Sequence, residues 1–166
     1  MDVSRRRFLG VRAPGGLPFR PPWSAAEDRF AALCTRCDAC LPVCPTGLLK
    51  RGTGGYPEAD FKAAACTFCG DCAQACPTGA IGRDTTQRPW DFGIRIDESC
   101  LAACNVECRV CGEICDAAAI RFRPRIGGVP LPEVDNTVCT GCGACLAPCP
   151  TTAIVRVALD PVPELP

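Results

Sequence analysis

An α+β fold of two tandem modules, each built of short β-hairpins and short helices, is predicted for this 166-residue chain by three features. Its 17 cysteines fall into four runs. One run recurs with its surroundings: Cys66-Thr67-x-Cys69-Gly70-x-Cys72-x3-Cys76-Pro77-Thr78-x-Ala80-Ile81 returns 73 residues later, from Cys139 to Ile154. Cys37, Cys40 and Cys44 likewise align with Cys108, Cys111 and Cys115 at a shift of 71, which marks an internal duplication. Between the runs, two-residue alternation and glycine clusters give strands and turns, and the few aromatics allow only a small organic core.

Taken in order, residues 1–23 read as a basic extended arm. Arg5, Arg6, Arg7, Arg12 and Arg20 face Asp2 alone, and Pro14, Pro18, Pro21 and Pro22 forbid a long helix. Ser4-Arg5-Arg6-Arg7-Phe8-Leu9 looks like a twin-arginine export box. An export signal also needs an unbroken apolar stretch of about 7 to 15 residues, which Arg12, Pro14, Gly15, Gly16, Pro18 and Arg20 interrupt. The expected location is therefore cytoplasmic, and a disordered basic tail is the plainer account of the arm.

Residues 24–84 form the first module. Ser24 and Glu27 match a capping box, and Ala25, Ala26, Phe30 and Leu33 give a short amphipathic helix leading to Cys34. Leu48 and Leu49 read as a strand, Gly52 to Gly55 as a turn, and Ala80-Ile81 as the segment completing the short-hairpin pattern. Residues 85–93, polar and ending near Pro89-Trp90, read as a linker. Residues 94–158 form the second module, with alternating strands at Ile94–Ile96, Ile120–Arg123 and Ile154–Val157 and a turn over residues 127–132; residues 159–166 are a tail.

The chemistry lies in the spacing. Cys139, Cys142, Cys145, Cys149 and Pro150 follow C-x2-C-x2-C-x3-C-P, the run of bacterial two-cluster ferredoxins, as do Cys66, Cys69, Cys72, Cys76 and Pro77, and Cys34, Cys37, Cys40, Cys44 and Pro45. Two-residue gaps wrap three thiolates around one 4Fe–4S cube, with Gly141 and Gly143 letting amides turn toward its sulfurs. The fourth cysteine is expected to begin a short helix and to serve the neighbouring cluster. The fold is thus read as tandem bacterial two-cluster ferredoxin-like modules, with four clusters.

Pairing adjacent motifs keeps the loops short. Site one then takes Cys34, Cys37, Cys40 and Cys76, and site two takes Cys66, Cys69, Cys72 and Cys44. Site four takes Cys139, Cys142, Cys145 and Cys115. Site three takes Cys108, Cys111 and Cys149, with Cys100 or Cys104 as its last ligand, and spacing does not choose between them. Asp116 stands where the other motifs carry proline, so a labile third cluster and a structural loop around a normal one fit the sequence equally.

Composition narrows the rest. Without histidine there is no Rieske centre, no mixed Cys/His zinc site and no histidine-based acid–base catalysis. An odd cysteine count in tight pairs speaks against a disulfide scaffold, and four-thiolate zinc leaves a cysteine over in every motif. Acidic and basic residues balance at 18 each, which gives no support to nucleic-acid binding beyond the arm. No apolar run reaches the length of a membrane span. No nucleophile stands with a base, so the chain is not expected to be an enzyme. Spacing alone favours an electron carrier, and a protein-binding module with clusters as structural pegs is the blander alternative.

The chain also resembles the NapF ferredoxin-type family of periplasmic nitrate reductase systems. The likeness rests on Ser4-Arg5-Arg6, Arg20-Pro21-Pro22-Trp23-Ser24, Cys34 to Cys40, Arg51-Gly52-x-Gly54-Gly55-Tyr56-Pro57, Trp90-Asp91, Val106-Glu107-Cys108-Arg109 and the fourth motif. It implies Cys100 as the fourth ligand of site three, leaving Cys104 as a spare thiol that departs from the family pattern. It also implies a cytoplasmic accessory protein that helps install the 4Fe–4S cluster of the nitrate reductase catalytic subunit before twin-arginine export. Arg5 and Arg6 would then contact that partner or the chaperone that reads its signal.

Overall fold

The computed structural model describes residues 19–159. The helices are short: α1 Glu27–Leu33, α2 Asp71–Gln74 and α3 Val110–Glu113. Six strands form three two-stranded antiparallel sheets, pairing β1 Leu49–Arg51 with β2 Pro57–Ala59, β3 Phe92–Ile96 with β6 Ile154–Ala158, and β4 Ile120–Arg125 with β5 Gly128–Val134. No helix among the described residues is long and apolar enough to cross a membrane.

Each module repeats one plan. A hairpin follows the first cysteine motif, β1–β2 in one module and β4–β5 in the other. The segment entering the module then pairs with the segment leaving it, as a Ser24–Ile81 bridge in the first module and as β3–β6 in the second. Along β3, buried Ile94 alternates with exposed Arg95. The free edge of β3 is closed by a side chain: Asn136 accepts from Ile94 N–H at 2.9 Å and donates to Ile94 O at 3.1 Å, taking the place of a strand.

Three local expectations are corrected. Ser24 does not cap α1, because its backbone is taken up in the bridge to Ile81; the N-cap is Ala26, and Glu27 pairs instead with Arg20 at 2.7 Å. The turn expected over residues 127–132 is shorter, and Gly128–Val134 is a strand despite Pro130 and Pro132. In a two-stranded sheet every strand is an edge, where a missing N–H is tolerated. The short helices carry the third cysteine of a motif, Cys72 on α2 and Cys111 on α3, and the fourth cysteine follows in a turn.

The core forms two buried clusters, and partly buried Leu146 packs against both. Residues 85–93, expected as a linker, place Trp90 and Phe92 among the buried side chains of the first module. Phe19 stacks edge-on against Phe61 at 5.0 Å and Phe92 at 5.4 Å, while Arg156 of β6 lies over the Phe19 ring at 3.8 Å. The backbone from Phe19 to Trp23 is stitched on both sides: Ala59 N–H to Phe19 O, Trp90 Nε1–H to Arg20 O, and Trp23 N–H to Pro89 O. Arg20 lies against the rings of Phe30 and Tyr56 while reaching Glu27 and Glu58. The expected arm of residues 1–23 therefore ends as a keystone. Its earlier part, with Arg5 and Arg6, lies outside the described residues.

Candidate metal centres

The cysteine loops share a backbone device. In three motifs the residues before and after the second cysteine have positive φ: Arg36 and Asp38, Phe68 and Gly70, Gly141 and Gly143. Such alternation turns successive amides inward and makes a concavity for anions. The Phe68 amide donates to Cys66 Sγ at 3.4 Å. Arg36, Asp38 and Phe68 hold this conformation without being glycine, at about 1 to 2 kcal/mol each. Their side chains are pinned, Arg36 over Tyr56, Asp38 to Arg51, and Phe68 against Trp23 and Trp90.

A second regularity follows the fourth cysteines. Three residues beyond each stands another left-handed residue: Gly47, Gly79, Ala118 and Thr152. In three motifs a threonine hydroxyl lies against the fourth thiol: Thr46 at Cys44 (3.6 Å), Thr78 at Cys76 (3.7 Å) and Thr151 at Cys149 (3.9 Å). Burial works to raise the Cys44 thiol, but the amides of Leu49, Leu48 and Thr46 and the Thr46 hydroxyl outweigh it and bring it below its ordinary value. Cys76 is lowered in the same way, with burial outweighed by donors from Ile81, Thr78 and Ala80. These threonines were not singled out from the sequence, although the repeated Cys-Pro-Thr was the available signal.

The thiols gather across motifs. One pocket is lined by Cys66, Cys69 and Cys72 of the second motif together with Cys44 of the first. Another is lined by Cys139, Cys142 and Cys145 of the fourth together with Cys115 of the third. Burial pushes Cys40 up to about 11, and the nearby Cys72, Cys34 and Cys76 thiols add to the rise. Burial likewise pushes Cys111 up to about 11, with Cys100 and Cys108 adding to it, and Cys145 up to about 12, with Cys142, Cys139 and Cys115 adding to it. Such thiols are neutral at pH 7 until iron takes the proton's place.

Among the described residues no three Cys, Asp or Glu side chains converge closely enough to hold one metal ion. The thiols line the walls of a space instead, and inward amides stand by to meet sulfur. This donor set fits a 4Fe–4S core. When bound, such a cluster supplies reversible one-electron chemistry at a potential tuned by hydrogen bonds, charge and exposure.

The third motif departs from this plan. Neither neighbour of its second cysteine, Cys108, has positive φ. Leu101 to Glu107 form a loop closed by Cys104 N–H to Cys100 O and Val106 N–H to Leu101 O. Asn105 Oδ1 accepts from Arg125 and from Val129 N–H, which pins the loop to the β4–β5 hairpin. Cys104 is exposed with its sulfur against Glu98 O, whereas Cys100 is half-buried and near Cys111.

Residues 33–80 match a 4Fe–4S dicluster domain and residues 132–155 a 4Fe–4S binding domain. Neither match includes the third motif. The ferredoxin-type protein NapF of Escherichia coli K12 is 46% identical over 157 residues, covering 93% of this chain and 94% of that protein. The chain belongs to the NapF family. The NapF protein of Haemophilus influenzae is 45% identical, with 90% of this chain and 80% of that protein covered. A methylamine utilization ferredoxin-type protein, MauM, of Methylobacillus flagellatus is 34% identical over 87% of this chain and 70% of its own. The cofactors of this NapF-family chain are 4Fe–4S clusters carried on two ferredoxin domains.

Proposed function

We propose that the chain is a cytoplasmic iron–sulfur accessory protein that assists insertion of the 4Fe–4S cluster into the catalytic subunit of a periplasmic nitrate reductase before its twin-arginine export. The observation that carries this reading is likeness to NapF proteins along nearly the whole chain, 46% identical over 93% of it. Four clusters are assigned. Cys34, Cys37, Cys40 and Cys76 hold the first; Cys44, Cys66, Cys69 and Cys72 the second; Cys100, Cys108, Cys111 and Cys149 the third; Cys115, Cys139, Cys142 and Cys145 the fourth. Arg5 and Arg6 are assigned to partner contact. The chain is not itself an enzyme: its working groups are the cysteines and the amides around them.

The test follows iron-55 from the anaerobically loaded protein into a cluster-depleted catalytic subunit, with a chelator present to trap free iron. Label in the subunit together with regained activity is the expected result. Label that stays on the donor while electrons pass reversibly would replace this reading with that of a polyferredoxin electron carrier. That second reading is favoured by the close approach of the two modules at Cys66 and Cys142.

A further inference from the structure

The modules meet at their cysteine loops. The Cys66 amide donates to Cys142 O at 2.9 Å, so a ligand of site two and a ligand of site four are joined through main chain and a single hydrogen bond. Gly143 approaches Phe61 so closely that a Cβ there would lie 2.0 Å from the ring, and a Cβ on Gly141 would lie 3.5 Å from Trp90. Leu146 packs into the buried clusters of both modules. Apolar side chains therefore close this junction, lowering the local dielectric between the two sites.

Within each module the sites are already linked by crossing ligands. Cys76 closes the second motif yet is assigned to site one, and Cys115 closes the third yet is assigned to site four. Cys37 of site one, Cys69 of site two and Cys104 in the loop of site three are exposed, so the order of the sites rests on the junction and the crossing ligands. We infer that the four sites form one series, in the order one, two, four, three, and that Cys66 and Cys142 are the conduit by which an electron crosses between the modules.

The transfer moves one electron and breaks no bond: one inner site is oxidised as the other is reduced. A one-electron donor protein serves one outer site and a one-electron acceptor the other. The inference rests on the ligand assignment above, and it holds whether the protein's partner receives a cluster or an electron.

The test uses the full-length protein with Cys37→Ser and Cys108→Ser, which removes the outer sites. Iron and sulfide are counted first, and loss confined to the two outer sites is expected; loss elsewhere would refute the ligand assignment and the series with it. Dithionite then reduces the remaining sites stepwise under electron paramagnetic resonance. At full reduction the narrow half-reduced signal should give way to a broadened, spin-coupled spectrum. A fully reduced spectrum that is simply twice the half-reduced one would overturn the series. Hydrogen exchange on the loaded wild type adds a reading that needs no substitution: the Cys66 amide should be strongly protected, and exchange at the rate of an open loop would refute the junction.

Discussion

Two glycine-to-alanine substitutions separate backbone strain from packing. Gly79 (φ +67°) has no atom within 4 Å of where a Cβ would stand, so Gly79→Ala should cost only left-handed strain, about 1 to 2 kcal/mol. Gly143 (φ +77°) carries the same strain, but its Cβ would also fall 2.0, 2.6 and 2.9 Å from three atoms of the Phe61 ring. That ring cannot retreat, being 4% exposed and held by Phe19, Trp90 and Phe92. Overpacking adds about 1 to 3 kcal/mol, so Gly143→Ala should cost roughly 2 to 5 kcal/mol, a large share of a small domain's stability. Because bound clusters couple to folding, the assay is cluster absorbance in anaerobic guanidinium titrations of the three proteins side by side. The expected midpoints fall from wild type to Gly79→Ala to Gly143→Ala. Equal midpoints for the two variants would refute the packing argument.

Further outcomes follow from the same geometry. Ala118 is left-handed where the first module has glycine, so Ala118→Gly should raise the midpoint by up to about 1 kcal/mol equivalent. Asn136→Ala leaves both Ile94 main-chain groups without their partner and should cost about 1 to 3 kcal/mol, read in the same titration. Cys104→Ser should keep the full iron content, while Cys100→Ser should lose the iron of one site. The hydroxyls and amides of Ser99 and Thr137 hold the Asp97 and Asp135 carboxyls below their ordinary value. Their contribution is then present above the unfolded value of about 3.9 and is lost as pH falls through the lower folded value. The melting difference between wild type and the Asp97→Asn, Asp135→Asn double variant should be constant above about pH 5 and shrink toward pH 3.

Much of the site was legible because cluster ligation writes itself into local spacing. The four motifs and the duplication follow from gaps of two and three residues, and the folded chain brings Cys44 beside Cys66, Cys69 and Cys72 and Cys115 beside Cys139, Cys142 and Cys145. The strands at Ile94, Ile120 and Ile154 were legible for a similar reason, since alternation is a local signal. What escaped is contact between distant segments. Nothing in the composition of residues 85–93 shows that Trp90 would donate to Arg20 O, or that Phe19 would lie between Phe61 and Phe92. The capping box at Ser24 failed for the same reason, because a long-range bridge to Ile81 outcompeted a local cap. The loop of the third motif was visible as a spacing anomaly, but its anchorage through Asn105 to Arg125 and Val129 was not.

The most direct test of the account concerns a single residue, Cys76, which stands in the second motif in sequence and is assigned to the first site. Three full-length variants, Cys37→Ser, Cys69→Ser and Cys76→Ser, are loaded anaerobically and compared by Mössbauer and paramagnetic resonance spectra. The account predicts that Cys76→Ser loses the same cluster signature as Cys37→Ser and keeps the one that Cys69→Ser loses. A Cys76→Ser spectrum matching that of Cys69→Ser would contradict the crossed ligand sets on which the site assignment and the series of four both depend.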